Sequence, residues 1–424
     1  MPPEQTAETL TPPAPTSHGR YRDVFAVREF RAVFAAHLLS MLGLIVSEIA
    51  LSVLVYDLTG SPLMSALAFA LGFLPYVVGG TLLAGVADRF PARRVLVVCD
   101  LVCAGCVALM VTPGASIAVL LTLRCCLAVV SPVFAGTRMA TLADVLGDGD
   151  LFVLGRSLLR ITAQSSLLVG YGLGGLLLTM VTPRHALLIT VGTFLASATL
   201  LRCGTRHRPA RARDGGSALV TDSLKGAREV LADRRTRVLL LLFWVPPMFT
   251  VAPEALAAPY ADDLGVGSTG LGLLMCALPV GTVAGELFAG ARLRPAARER
   301  IALPLVCLTP LPYLGYALRP GLATSLLLLL VSGAGSAYTL GLDQWFVRAV
   351  PEGLRGRAMT LLTAGLMTVQ GVGMALAGVA AEFAGVTATV TGAGVLGTAC
   401  CALLAVQARR TEGRDGADHH VTGR

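Results

Sequence analysis

Apolar residues fall along this chain in runs of about 20, the length that carries an α-helix across a bilayer. Polar residues gather in the short gaps between them. The runs predict twelve membrane helices, roughly at 30–56, 62–86, 95–112, 116–136, 157–180, 185–202, 238–258, 268–291, 301–318, 322–345, 358–383 and 386–407. Gly and Pro interrupt many of them. Membrane helices tolerate this because neighbouring groups satisfy the freed backbone polar atoms. The expectation is an all-α membrane protein.

The gaps differ in charge. The gap 87–94 holds Arg89, Arg93 and Arg94; 292–300 holds Arg292, Arg294, Arg298 and Arg300; 347–357 holds Arg348, Arg355 and Arg357; 202–237 holds ten basic residues. The alternate gaps hold almost none, Arg184 and Arg319 being the exceptions. Cytoplasmic loops are the ones enriched in Lys and Arg. Both termini and the long middle segment are therefore expected in the cytoplasm, with the chain in a plasma or inner membrane. The predicted organisation is a disordered tail (1–28), a six-helix bundle (29–202), a basic cytoplasmic linker (203–236), a second six-helix bundle (237–408) and a short tail (409–424). The first ~25 residues are polar and Pro-rich, unlike a cleavable signal peptide.

Composition sharpens this picture. Hydrophobic residues make up 54% and charged residues 14% of 424 positions, against roughly 25% charged in soluble domains. The net charge of +8 does not indicate nucleic acid, because the positive residues are spread over loops and form no single basic module. The ten cysteines include no CxxC pair. Cys99, Cys103 and Cys106 share one helix face, where small residues pack a membrane helix; no metal or cofactor is expected. The chain also lacks a nucleotide-binding loop, a metalloprotease motif and a nucleophile elbow. It reads as no enzyme, and any transport must draw on an ion or substrate gradient.

The halves echo each other. Arg31 and Glu48, 17 residues apart, recur as Arg237 and Glu254. AGVADRFPARR (84–94) recurs as AGARLRPAARE (289–299). Farther on, Arg156 and Gly170 correspond to Arg357 and Gly371. Such repeats are common in transporters.

Six plus six helices with a basic loop after the second resembles the major facilitator superfamily, over about residues 25–408. YDLTGSPL (56–63), LPYVVGG (74–80), ADRFPARRVLVVCD (87–100), FAGTRMATLADVL (134–146) and VPEGLRGRAM (350–359) are similar to its enterobactin-exporter-like and macrolide-efflux-like branch. The resemblance implies a switch loop at Gly85, Asp88, Arg89, Arg93 and Arg94. Gly85 stands one residue closer to Asp88 than the family pattern has it, Pro91 replaces a Gly, and the second copy has Leu293 in place of the Asp. It implies an antiporter-type helix-five motif at Gly170, Gly172, Gly174 and Gly175, without the usual Pro; tight helix packing explains these glycines equally well. It also implies a helix-four Arg of proton-coupled exporters at Arg124, with Leu127 and Ala128 departing from the pattern.

Charges within apolar runs are the candidate working residues, since a charge at mid-bilayer costs at least about 2.5–3.5 kcal/mol. Arg124 would bind a substrate anion, tune a carboxylate or form a structural ion pair. Glu48 and Glu254 lie at matching depths, about 25 Å from Arg31 and Arg237, and would face each other across a central path, one of them carrying a proton. Glu286 and Asp343 would pair with loop arginines as gating charges, as would Asp100. His37 reads as a packed residue, and Tyr76, Tyr171, Trp244 and Tyr338 as possible cavity residues. The expected function is monomeric, proton-coupled export of a small amphipathic molecule (a drug, siderophore or other metabolite). Its rivals are an importer or facilitator on the same fold and, ranked below, a transport-inactive sensor or scaffold.

Overall fold

The structure is a computed structural model that describes residues 21–76, 78–79, 89–147, 150–206, 208, 231–350 and 355–421. Gly85, Asp88 and most of the basic middle segment lie outside the described residues.

The described elements are helical. A short helix, Tyr21–Ala26, precedes α1 (Arg28–Thr59). Then come α2 (Pro62–Phe73), α3 (Ala92–Val111), α4 (Ile117–Leu146), α5 (Asp150–Met180) and α6 (Pro183–Gly204). The second set is α7 (Arg234–Thr250), α8 (Gly267–Arg292), α9 (Pro295–Leu308), α10 (Leu322–Gly335), α11 (Arg355–Ala384) and α12 (Val386–Val421). Eleven described helical stretches are long and apolar enough to cross a membrane; α2, Pro62–Phe73, is apolar but shorter as described.

Local signals place the helix ends. Gly60 closes α1 in the left-handed region (φ 63°), donating its N–H to the Tyr56 carbonyl at 2.7 Å. Ser61 then accepts from the Met64 N–H, with Pro62 in the first turn of α2, where a missing N–H costs nothing. Ser116, Thr182 and Asp233 cap α4, α6 and α7 in the same way. Several helices outrun their apolar stretches. The predicted 116–136 is observed to Leu146, 157–180 begins at Asp150, and α12 continues to Val421. Hydropathy finds the lipid-facing length, and the helix continues past it.

Three spans of the second half are broken, two of them at prolines. Pro246, Pro247, Pro253 and Pro259 lie along the α7 run, which continues as the short helices Ala252–Ala255 and Ala257–Asp263. The α9 run ends, between Pro310 and Pro312, in a 3₁₀ segment, Leu311–Leu318. The α10 run breaks without a proline, at Ser336 and Ala337 after Gly333 and Gly335, and resumes as Tyr338–Ala349. Each proline removes a donor from the helix ladder.

The packing repeats with a six-helix period. Helix α1 packs on α5 and α6 as α7 packs on α11 and α12, while α2 meets α4 as α8 meets α10. Between the halves, α2 packs on α11 and α5 on α8, contacts that exchange with one another under the same six-helix shift. Two pseudo-symmetric six-helix bundles therefore meet along a seam, giving the twelve-helix architecture expected from the sequence.

The start of α1 and the end of α12 lie at one end of this body, here the terminal end. The halves share an apolar core toward the opposite, far end, where Ile45, Ile49, Phe69 and Tyr171 join Leu256, Leu271, Tyr313 and Met374. Tyr56 Oη donates to Asp262 Oδ2 across the seam at 3.3 Å, and Ser61 Oγ donates to Glu382 Oε2 at 2.7 Å. Toward the terminal end the described cores separate. Val33, Leu96 and Leu201 belong to one half, and Leu240, Val306 and Leu342 to the other.

Candidate functional site

Three of the intramembrane charges predicted from sequence come together at the seam. Helix α1 carries Glu48 and α4 carries Arg124, and the two form an ion pair. Arg124 is 4% exposed. Its Nε donates to the Ala68 carbonyl of α2 at 3.1 Å, so the guanidinium ties three helices together. Glu254, on the short Ala252–Ala255 turn of the other half, accepts a hydrogen bond from the Tyr171 hydroxyl of α5. Glu48 and Glu254 are close enough for their charges to interact. The array Arg124–Glu48···Tyr171–Glu254 therefore spans the seam beside the core shared by the halves.

Glycine makes room for it. A Cβ at Gly72 of α2 would overlap the Arg124 guanidinium. That group is held by Glu48 and Ala68, so it cannot simply swing aside. Gly72→Ala should therefore dislodge Arg124 and lower the thermal stability of the detergent-solubilised protein, by the about 1–3 kcal/mol typical of overpacking. An unchanged unfolding midpoint would show that the guanidinium has another resting place.

The helix-five glycines divide between two neighbours. A Cβ at Gly170 or Gly174 would strike Ile45 or Ile49, each at 2.8 Å, so these two admit α1. Gly175 lies against the Gly272 backbone of α8, and a Cβ at Gly172 would stand 3.5 Å from Cys276 Sγ. One glycine run thus packs α5 inside its own bundle and, through the other face, across the seam.

The expected gating charges do not join this site. Asp100 is fully buried inside the first bundle and accepts from Ser40 Oγ (2.9 Å) and Ser197 Oγ (2.6 Å). Its hydrogen bonds therefore go to α1 and α6 hydroxyls, not to loop arginines. The cation that acts on it is Arg138 of α4, which sequence reading did not single out. Arg138 donates to His37 Nδ1 and stacks 4.0 Å above the Phe134 ring. Asp343 is exposed and has no ion-pair partner among the described residues. The neighbouring Arg348 pairs instead with Glu299 of α9 at 2.6 Å. Glu286 is half-buried on α8. Arg89, Arg93 and Arg94 flank the start of α3, away from the carboxylate cluster. Trp244 donates to the Leu362 carbonyl at 2.9 Å, joining α7 to α11 within the second bundle.

Two six-helix bundles meeting along a seam with buried ionisable groups define a multi-pass membrane protein of the transporter class, not an enzyme. The chain belongs to the major facilitator superfamily, whose description, Major Facilitator Superfamily, matches residues 33–318. No curated protein matches the sequence. Solved structures share the fold at low identity. A bacterial homologue of the human lysosomal transporter Spinster, inward-facing and occupied, is 15% identical with a TM-score of 0.68, covering 92% of this chain and 97% of its own. The nucleoside transporter NupG is 14% identical with a TM-score of 0.66, covering 89% and 99%. A structure from the proton dependent oligopeptide transporters is 13% identical with a TM-score of 0.62, covering 90% and 99%.

Proposed function

We propose that this chain is a proton-coupled exporter of a small amphipathic molecule, working by alternating access in the plasma or inner membrane with both termini cytoplasmic. The observation that carries the reading is the charge array at the seam. Its members come from both halves, and the Tyr171–Glu254 bond must break if the halves part at the far end. A rocking motion would then change the surroundings of Glu254, which is the requirement for coupling proton movement to conformation. Glu48 already has the Arg124 guanidinium as its partner, leaving Glu254 as the carboxyl that exchanges its occupant.

The far-end closure corresponds, in this orientation, to a state open toward the cytoplasm, ready to load an export substrate. Arg89, Arg93 and Arg94, with Gly85 and Asp88, supply the cytoplasmic switch. The resemblance to drug and siderophore exporters favours outward movement, and the proton dependent transporters that share the fold make proton coupling a natural energy source. The working unit is a monomer in lipid with no nucleic-acid partner.

The test is substrate-induced proton movement in inside-out vesicles, screened over lipophilic drugs and siderophores, with wild type beside Glu48→Gln. A compound that dissipates the pH gradient only with wild type supports coupled export. A compound that equilibrates without moving protons assigns the chain to the facilitators instead.

A further inference from the structure

Within the transporter reading above, and resting on it, we infer that the seam binds an organic cation, an amine or other positively charged amphipath, and exchanges it for a proton at Glu254.

Charge balance carries the inference. The array holds two carboxylates and one guanidinium. Arg124 is already committed to Glu48 and the Ala68 carbonyl. The groups around Glu254 are Tyr171, a neutral donor; Glu48, an anion; and Tyr313, a phenol whose hydroxyl donates to the Thr250 carbonyl at 3.0 Å. Among the described residues, Glu254 thus has no cation of its own. An unpaired carboxylate in the membrane interior is costly, so it needs a proton or a positively charged ligand. The two are interchangeable singly charged occupants. An anionic ligand would add to the excess.

The surroundings are apolar. Glu254 borders a small cavity of about 20 Å³ lined by Pro253, Leu274, Met275, Leu278, Pro279 and Leu329, room for a water-sized group in this closed state, so an amphipath enters only when the halves part.

The far end points the same way independently. A cavity of about 510 Å³ opens there between the halves, with Tyr56 and Asp57 on one side and Ala258 and Asp262 on the other. Among the described residues no Lys or Arg lines it, although the chain carries a net charge of +8. Asp57, Asp262 and the adjacent Asp263 have no ion-pair partner among the described residues. Burial and the neighbouring Asp262 carboxylate hold the Asp263 carboxyl above the usual range. Clefts lined by one sign of charge concentrate ligands of the other, so this vestibule favours passage of cations.

The test uses two ions of nearly equal shape and opposite charge. Tetraphenylphosphonium and tetraphenylborate are titrated into the full-length chain in lipid nanodiscs by calorimetry, across a range of pH and in two buffers of different ionisation enthalpy. The expected result is saturable binding of the phosphonium alone, with close to one proton released per cation. Affinity rises about tenfold per pH unit while Glu254 is protonated, because proton and cation then compete. Glu254→Gln weakens binding by about 30-fold or more and ends proton release. Glu299→Gln, at the remote Arg348 pair, changes neither.

Saturable binding of the borate in place of the phosphonium overturns the cation assignment and leaves proton-coupled transport standing. Absence of saturable binding by either ion also overturns it, whatever the vesicle screen shows. Phosphonium binding with no proton release overturns the exchange, and with it the coupling proposed above. The comparison of the two ions on wild type requires no variant to fold.

Discussion

Arg124→Ala should reduce substrate-driven proton flux to background. The substitution leaves Glu48 in a buried position without its cation, and stranding one member of a buried pair costs about 3–5 kcal/mol. A membrane carboxylate escapes that cost by taking a proton. Glu48 would then take a proton as Glu254 does, the array would hold two proton-taking carboxyls instead of one, and it would lose the asymmetry on which exchange depends. Thermal unfolding in detergent should show a lower midpoint for Arg124→Ala. The double variant Arg124→Ala/Glu48→Gln, which removes both charges, should recover most of that stability and none of the proton flux. This pattern separates a coupling residue from a merely structural one. Wild-type flux in Arg124→Ala would remove the ion pair from the mechanism, whatever its effect on stability.

The ion pair was partly legible in the sequence, and the reason is physical. A charge inside an apolar run is conspicuous because lipid penalises it, so Glu48, Arg124 and Glu254 stand out one by one. Their matching depths followed from helix rise and from the repeat, which made a meeting across the centre a reasonable expectation. The detail was not legible. Nothing distinguishes Gly72 from the other small residues of its run, yet it is the position that admits the guanidinium. Tyr171 was visible only as one aromatic among several.

Asp100 shows the limit most clearly. Reading along the chain assigned it the nearest arginines, whereas Ser40 and Ser197 reach it from helices 60 and 97 residues away. Hydroxyls in apolar helices carry no charge signal and are read as filler. Arg138 was passed over because it sits in a stretch valued for its resemblance to a family, not for its depth; its meeting with His37 depends on how α4 packs against α1. Helix identity was legible throughout because length and hydropathy determine it. The breaks in α7 and α10 were not, because an apolar scan runs straight through the prolines of α7 and the small residues Gly335, Ser336 and Ala337 of α10.

If the halves must part for transport, tying them together at the far end should stop it, and the chain already carries half of the tie. Cys276 of α8 lies across the seam from Gly172 of α5, with its Sγ 3.5 Å from where a Cβ at 172 would stand. That separation is ordinary contact, so Gly172→Cys should fold and transport much as wild type does under reducing conditions. A sulfur at 172 can close the gap with a normal S–S bond of about 2.05 Å. Oxidation with a membrane-permeant catalyst should then staple α5 to α8, hold the seam shut, and bring transport down to the level of empty vesicles. Dithiothreitol should restore it. Native thiols such as exposed Cys126 and Cys203 will meet the same oxidant, so wild type treated in parallel provides the baseline, and mass spectrometry of the 172–276 cross-linked peptide verifies the staple. Transport that continues with the cross-link complete would mean that α5 and α8 stay together through the cycle. The moving boundary would then lie elsewhere, and the Tyr171–Glu254 bond, one residue from the staple, could no longer serve as the link between proton and conformation.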